Sequence, residues 1–504
     1  MRRFLSMGLL LALALTPPVA TSQVVGNTPG VAAGGYGYPK RSLPALPLAT
    51  GAKVVGLGHS FLGRGSYSRY LASQTATNGL QGSDETALGY LYYIKAVDGR
   101  FNLDLFADGA VPWSPPSSGR AVTGSQQGLS GDHLLYGGAS LPGTIARSPY
   151  ALARQPQIAV LDIGTNDISS GLLGRGDNNA PSIIGQLDRQ IGLLTDAGVW
   201  VVVKTVAWRF DWPAGDSRLA TITAVNDWIL AQSARAGVKV WDTTMIDGTA
   251  STSHGSGVTD RIGADGVHPT AYGAGVLANS LLPILKDMVT AGEARNLDPL
   301  SANLFPYPGL PGVGGTIGAG VTGTVATGMA VTRSAGSSTA VASKEVIGAG
   351  NEKQVLTITP VDDSTALHQF RFTASADINF STLGVNEGDW LEVTVPVELG
   401  DWDGWSWNSS NTNGGPATLV NEQYNANALI WETNIVTGNG WGGKTLLLDA
   451  KIPVQAAAGA TKLRWSSRPI QIQFRSSAAG TGVVKIGSPI MRKISDPRTG
   501  WRLP

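Results

Sequence analysis

No cysteine occurs among the 504 residues, which excludes disulfides, thiolate nucleophiles and cysteine-ligated zinc. Charge is also scarce. Acidic and basic residues make up 14% of the chain and nearly cancel, leaving a formal net charge of +1. With no basic block to track phosphates, nucleic acid is not an expected partner. Only five histidines are present, His59, His133, His254, His268 and His368, so any imidazole base must come from that short set. Long apolar runs are missing too: the stretch Phe4 to Leu15 falls short of the roughly 20 residues that span a bilayer, and no later stretch reaches that length.

The short apolar stretch is nevertheless informative. Arg2 and Arg3 precede it and Pro17, Pro18, Val19 and Ala20 follow. This is the order of n-region, h-region and small-residue cleavage site in a secretory signal. A signal peptide over 1–20 is expected, with export to the periplasm or the medium and no membrane span in the mature form. Residues 21–50 are rich in Gly, Pro, Ala and Ser without apolar period, and are expected to form an extended linker.

Between Lys53 and Asp287, β-branched runs alternate with longer stretches of helical spacing, which predicts an α/β domain over 51–292 with a mainly parallel sheet. Candidate strands are Lys53 to Gly56, Phe101 to Phe106, Gln157 to Ile163, Val199 to Val206 and Val238 to Asp242. Candidate helices are Asp84 to Val97, Pro181 to Ala197, Ser217 to Ala236 and Ala271 to Val289. Prolines and a dense set of glycines then mark 293–320 as a linker. From 321 to 504, short runs of Val, Thr, Ile, Phe and Trp alternate with turn signals such as Asn386-Glu387-Gly388-Asp389. An all-β sandwich of jelly-roll type is expected there.

Four segments of the α/β part carry chemistry. Ser60, in Gly58-His59-Ser60, follows the strand Val54 to Leu57 and so falls at a strand's carboxyl end, where α/β sheets place their ligands. Asn166, in Gly164-Thr165-Asn166-Asp167, follows Ile158 to Leu161 in the same manner, and its carboxamide can donate to developing negative charge. In Asp265-Gly266-Val267-His268 a carboxylate precedes a histidine by three residues on a loop. Such a carboxylate can hold the imidazole tautomer and stabilise the imidazolium formed when it takes a serine proton. Finally, Gly138 to Thr144 offers two glycines, Gly138 and Gly143, whose N–H could face an oxyanion.

In this order the segments resemble the blocks of the SGNH (GDSL-type) hydrolase superfamily. The resemblance covers about half the chain and implies a three-layer αβα, flavodoxin-like parallel sheet. It implies Ser60 as nucleophile, His268 as base and Asp265 as its partner, with an oxyanion hole from Ser60, Asn166 and either Gly138 or Gly143. No metal or organic cofactor is implied. One departure stands out: His59 occupies the place of the aspartate in the usual Gly-Asp-Ser. The substitution reads as a structural stand-in or a substrate contact.

Eight of the fourteen tryptophans lie in the last quarter. Trp402, Trp405 and Trp407 sit among turn formers and short polar residues, so they are candidate exposed indoles for stacking on sugar rings. The expected function is an exported serine esterase that removes acetyl or other small acyl groups from a polysaccharide, held there by a carbohydrate-binding sandwich. The alternatives are a general short-chain esterase or lipase, and a non-catalytic glycan-binding or particle-attachment protein with a hydrolase-like domain.

Overall fold

The computed structural model describes residues 40–63, 90–103, 107–108, 122–123, 126–128, 133–137, 141–172, 176, 178–213, 215–244, 246, 267, 269, 271–361, 363–405, 417–426, 428–436, 443–454, 456, 459–476 and 480–495. All of them fall within one compact unit, Lys40–Pro504.

Its first part is a parallel sheet of β1 (Ala52–Gly58), β2 (Phe101–Asn102), β3 (Gln126–Gly128), β4 (Ile158–Asp162), β5 (Trp200–Lys204) and β6 (Val238–Trp241). The order is β6-β5-β4-β1-β2, with β3 also pairing the end of β1. Every strand pair in it is parallel. All five residues of β4 are buried, as a central strand covered on both faces requires. The strand order reverses between β1 and β4, so a crevice opens at their carboxyl ends. This is the flavodoxin-like arrangement expected from the sequence.

Helices cover both faces. On one lie α3 (Thr144–Ala153), α5 (Ala180–Asp196) and α6 (Ser217–Ala231), and on the other α2 (Tyr90–Val97) and α7 (Ala271–Met288). Two short helices, α1 (Ser60–Gly63) and α4 (Thr165–Ser170), begin directly after β1 and β4. Helix α5 shows why these segments fold locally. Asn179 caps it by accepting the Ser182 N–H at 2.9 Å, proline occupies its first turn, and Ile183, Leu187, Ile191 and Leu194 make its buried stripe.

Helix α2 differs, being buried from Tyr90 through Ala96. Its second cover is the β-region: α2 packs on the strand Thr445–Pro453. There the Lys95 ammonium meets the Asp449 carboxylate at 2.7 Å, both side chains buried. The β-region consists of two main sheets. One carries Val325–Ala335, Asp363–Ala374, Ile470–Ser476 and Ala417–Asn425 at its centre, and the other Thr339–Gly348, Asn351–Thr359, Gly482–Ile486, Trp390–Leu399 and Thr445–Pro453. Phe370, Phe372, Leu391, Val393, Ile472 and Phe474 are among the core residues of this sandwich.

The two segments expected to be linkers are fastened. In 40–50, Trp200 Nε1 donates to the Pro44 carbonyl at 2.9 Å and Leu48 bridges Val289. In the glycine- and proline-rich stretch, Asn303 donates to the Pro489 carbonyl and accepts from the Met491 N–H, while Arg492 binds the Asp298 and Ser301 carbonyls. Backbone groups near 298–303 find side-chain partners, and Gly314–Ile317 joins the sandwich as a strand beside Val325–Ala335.

Candidate active site

Gly58 ends β1 where a Cβ would stand 2.1 Å from the Asp162 carbonyl oxygen. Only glycine permits that approach, and the next residue uses it: the His59 N–H donates to the same carbonyl at 3.2 Å. Ser60 then starts α1. On the neighbouring strand, Gly164 at φ +121° turns the chain so that α4 begins at Thr165, which puts Asn166 in the first turn of a helix at the carboxyl end of β4. The sequence placed each residue at a strand's carboxyl end, and the sheet order brings those two ends side by side.

Asp167, beside Asn166, is fully buried and accepts the Leu134 N–H at 2.9 Å. His133 Nε2 and Ser170 Oγ lie 2.9 Å apart, and Ser170 Oγ also donates to the Asn166 carbonyl at 3.1 Å. These bonds tie the loop at 133–135 to α4. The loop leads into the hairpin Tyr136–Gly137 with Leu141–Pro142; Gly138 lies outside the described residues. Gly143 does not fit an oxyanion role. Its N–H is turned to the Leu135 carbonyl at 3.3 Å, and the residue is the N-cap of α3. Gln190 holds that helix to α5 through Thr144 and Ser148. Of the two glycines the sequence offered, Gly143 is spent on the fold.

Asp265 and His268 also lie outside the described residues. Their neighbours Val267 and Pro269 are half-buried, and α7 begins at Ala271.

His59 is not a substrate contact. It is 2% exposed, its Nδ1 accepts the Phe61 N–H at 3.3 Å, and its Nε2 faces Asp162 Oδ1 at 3.5 Å. The carboxylate that the sequence did not reveal beside this histidine is therefore Asp162, on the adjacent strand. Tyr90 Oη donates to its other oxygen at 3.0 Å, and the Lys204 ammonium stands 3.8 Å away. Burial pushes the Asp162 carboxyl up, but Lys204, His59 and Tyr90 outweigh it and hold it at about 2. Asp162, Lys204 and Tyr90 were missed in the sequence. The available signal was a charged residue ending each of two otherwise apolar central strands, Ile158–Asp162 and Trp200–Lys204.

The tryptophan loop is corrected as well. Trp405 is 1% exposed and donates its Nε1–H to the Gly400 carbonyl at 2.9 Å; Trp402 is 7% exposed. Both rings pack edge-on to Phe474, at 5.4 and 6.1 Å between centroids. They belong to the sandwich core. Trp407 lies outside the described residues.

Residues 108–276 match the model of the GDSL-like lipase/acylhydrolase family. The comparison with curated proteins returns no match. Among solved structures, a carbohydrate esterase family 3 protein from Talaromyces cellulolyticus is similar at 22% identity and TM-score 0.27, covering 46% of this chain and 96% of that one. A variant acetyl-xylooligosaccharide esterase from Geobacillus Stearmophilus is similar at 15% identity and TM-score 0.31, covering 49% and 100%. A GDSL-like lipase from Bacteroides thetaiotaomicron is similar at 16% identity and TM-score 0.29, covering 46% and 85%. Likenesses this distant say nothing of substrate. The family match lies across β3, β4, β5 and β6 of the flavodoxin-like sheet, so this part of the chain is similar to GDSL-like lipases and acylhydrolases.

Proposed function

We propose that this protein is an exported serine esterase that hydrolyses acetyl or other small acyl esters on a polysaccharide. The observation that supports it best is the pairing of β1 with β4 at the point where strand order reverses, which sets Ser60 and Asn166 on neighbouring helix starts within one crevice. His268, oriented by Asp265, takes the Ser60 hydroxyl proton as Oγ attacks the ester carbonyl. The N–H groups of Ser60 and Gly138 and the Asn166 carboxamide hold the oxyanion. His268 then protonates the leaving alcohol, and water releases the acyl group from Ser60 by the same route in reverse.

The polysaccharide is the substrate class favoured by an export-type leader together with a β-sandwich fixed firmly against the hydrolase part. With Trp402 and Trp405 inside that sandwich, sugar capture by those rings is not part of the reading. The test is fluorophosphonate labelling of the full chain, which should vanish in Ser60→Ala, combined with acetate release from acetylated glycans. An unlabelled wild-type protein would overturn the esterase. Labelling with faster turnover of long-chain than of acetyl esters would overturn the glycan substrate in favour of a lipase.

A further inference from the structure

Four buried polar side chains lie directly beneath the start of α1: His59, Asp162, Lys204 and Tyr90, each 2% exposed or less. They come from the ends of β1, β4 and β5 and from the first turn of α2. Each charge taken into an interior costs several kcal/mol before its partner repays it, and an apolar set would pack there at lower cost. What distinguishes this set is how it grips the backbone on both sides of Ser60.

His59 is bound at four points. Its N–H donates to the Asp162 carbonyl at 3.2 Å and its carbonyl accepts the Leu62 N–H at 3.1 Å. Its Nδ1 accepts the Phe61 N–H at 3.3 Å, so the ring proton sits on Nε2, which faces Asp162 Oδ1 at 3.5 Å. The ring is thus held in one orientation. The Phe61 ring meets the imidazole edge-on at 4.4 Å, and the Lys204 ammonium lies 5.8 Å from the Phe61 and Trp241 rings while donating to the Thr205 carbonyl at 3.2 Å. Residues 59, 61 and 62 are all tied to this unit. Ser60 is the residue between them.

We propose that His59, Asp162 and Lys204 form a buried positioning unit that fixes the peptide of Ser60, so that its N–H faces the oxyanion. The inference rests on the serine esterase reading above. His59 takes no proton from substrate and touches none of the reacting atoms; it acts through the Phe61 N–H and the Ser60 peptide. A displacement of about 1 Å at a reacting group can cost on the order of a hundredfold in rate, which sets the expected effect.

The experiment compares His59→Leu, His59→Asn, His59→Asp and the double variant His59→Asp with Asp162→Asn. Each is read by fluorophosphonate labelling rate, by kcat and KM on p-nitrophenyl acetate, and by Tm. Removing both ring nitrogens in His59→Leu should lower kcat and labelling about a hundredfold with KM changed less than about twofold. His59→Asn keeps an acceptor for the Phe61 N–H and a donor toward Asp162, and should recover kcat to within about tenfold of wild type. His59→Asp sets a second carboxylate against Asp162 and should lose activity, which Asp162→Asn in the same chain should restore by removing the like charge. If His59→Leu lowers Tm but leaves kcat within about twofold, the unit is only structural and the proposal falls. Should the leucine variant not fold, the aspartate pair decides: no recovery of kcat in the double variant overturns the proposal. A wild-type protein that is not labelled sinks the esterase reading itself, whereas labelled wild type with equally labelled His59→Leu sinks only the positioning role.

Discussion

Asp162 and Asp449 are two carboxylates, each with a side chain 3% exposed and each facing a lysine, at 3.8 Å for Lys204 and 2.7 Å for Lys95. Their surroundings separate them. Asp162 faces an imidazole and a phenol at the edge of the parallel sheet, so the bonds it makes determine how a short stretch of backbone turns. Asp449 projects from the outer face of the sandwich and takes its lysine from α2, across the junction of the two parts. Beside it, Glu392 is pushed up by burial and by the Asp449 charge, while Lys95 and Lys451 more than offset the burial of Asp449 and hold that carboxyl down. The same physics therefore serves alignment of a reactive segment in one place and attachment of one layer to another in the other.

The comparison breaks first at the junction. Lys95→Ala should destabilise the protein by about 3–5 kcal/mol in chemical denaturation, because it leaves Asp449 buried and uncompensated. Lys95→Met with Asp449→Leu should recover most of that loss; a single variant within about 1 kcal/mol of wild type would show that the pair does not fasten the layers. At the sheet edge, Asn166→Ala should lower kcat by about a hundred- to a thousandfold, or about 2.7–4 kcal/mol, with Tm little changed. The acid limb of stability distinguishes the two carboxylates further. Asp162 falls from 3.8 to about 2 on folding, so its contribution, about 2 kcal/mol, is fully present above the unfolded value and is lost as pH falls from about 4 toward about 2. Asp162→Asn should flatten that part of a stability-against-pH curve, and an unchanged slope would deny the carboxylate its ionised state. The smallest effect is at Glu392, whose raised value works in the opposite sense. Its folded form holds its proton more tightly, so stability is greatest at low pH and declines as pH rises through the unfolded value toward the folded one. Glu392→Gln should therefore give a small rise in Tm at neutral pH, and none at pH 3.

Much of the α/β part was legible because its signals are local. β-Branched runs ending in Gly-His-Ser and Gly-Thr-Asn-Asp located both strand ends, and the stripe of α5 with its Asn179 cap is written within seventeen residues. Helix α3 was not legible, since Pro149 stands inside it; its first turn satisfies itself through the loop at 133–135, which sequence spacing does not reveal. The duty of His59 was hidden for a related reason: its partner lies on another strand, and adjacency of β1 and β4 is a property of the sheet. Trp402 and Trp405 misled because turn formers around them signal a loop, while burial depends on where the loop lands. Here Asp403–Trp405 makes a single tight turn that drops both indoles onto Phe474. The parts of the proposed site at Gly138, Asp265 and His268 were read from motif alone and lie outside the described residues.

The grip of Asn303 and Arg492 on opposite sides of the crossing between the two parts has a consequence for biosynthesis. The segment near 298–303 leaves the ribosome long before the strand Ile490–Ile494 that captures it. During translation α2 therefore lacks its outer cover until the strand Thr445–Pro453 has been made, and the segment near 298–303 is fastened only when Ile490–Ile494 follows.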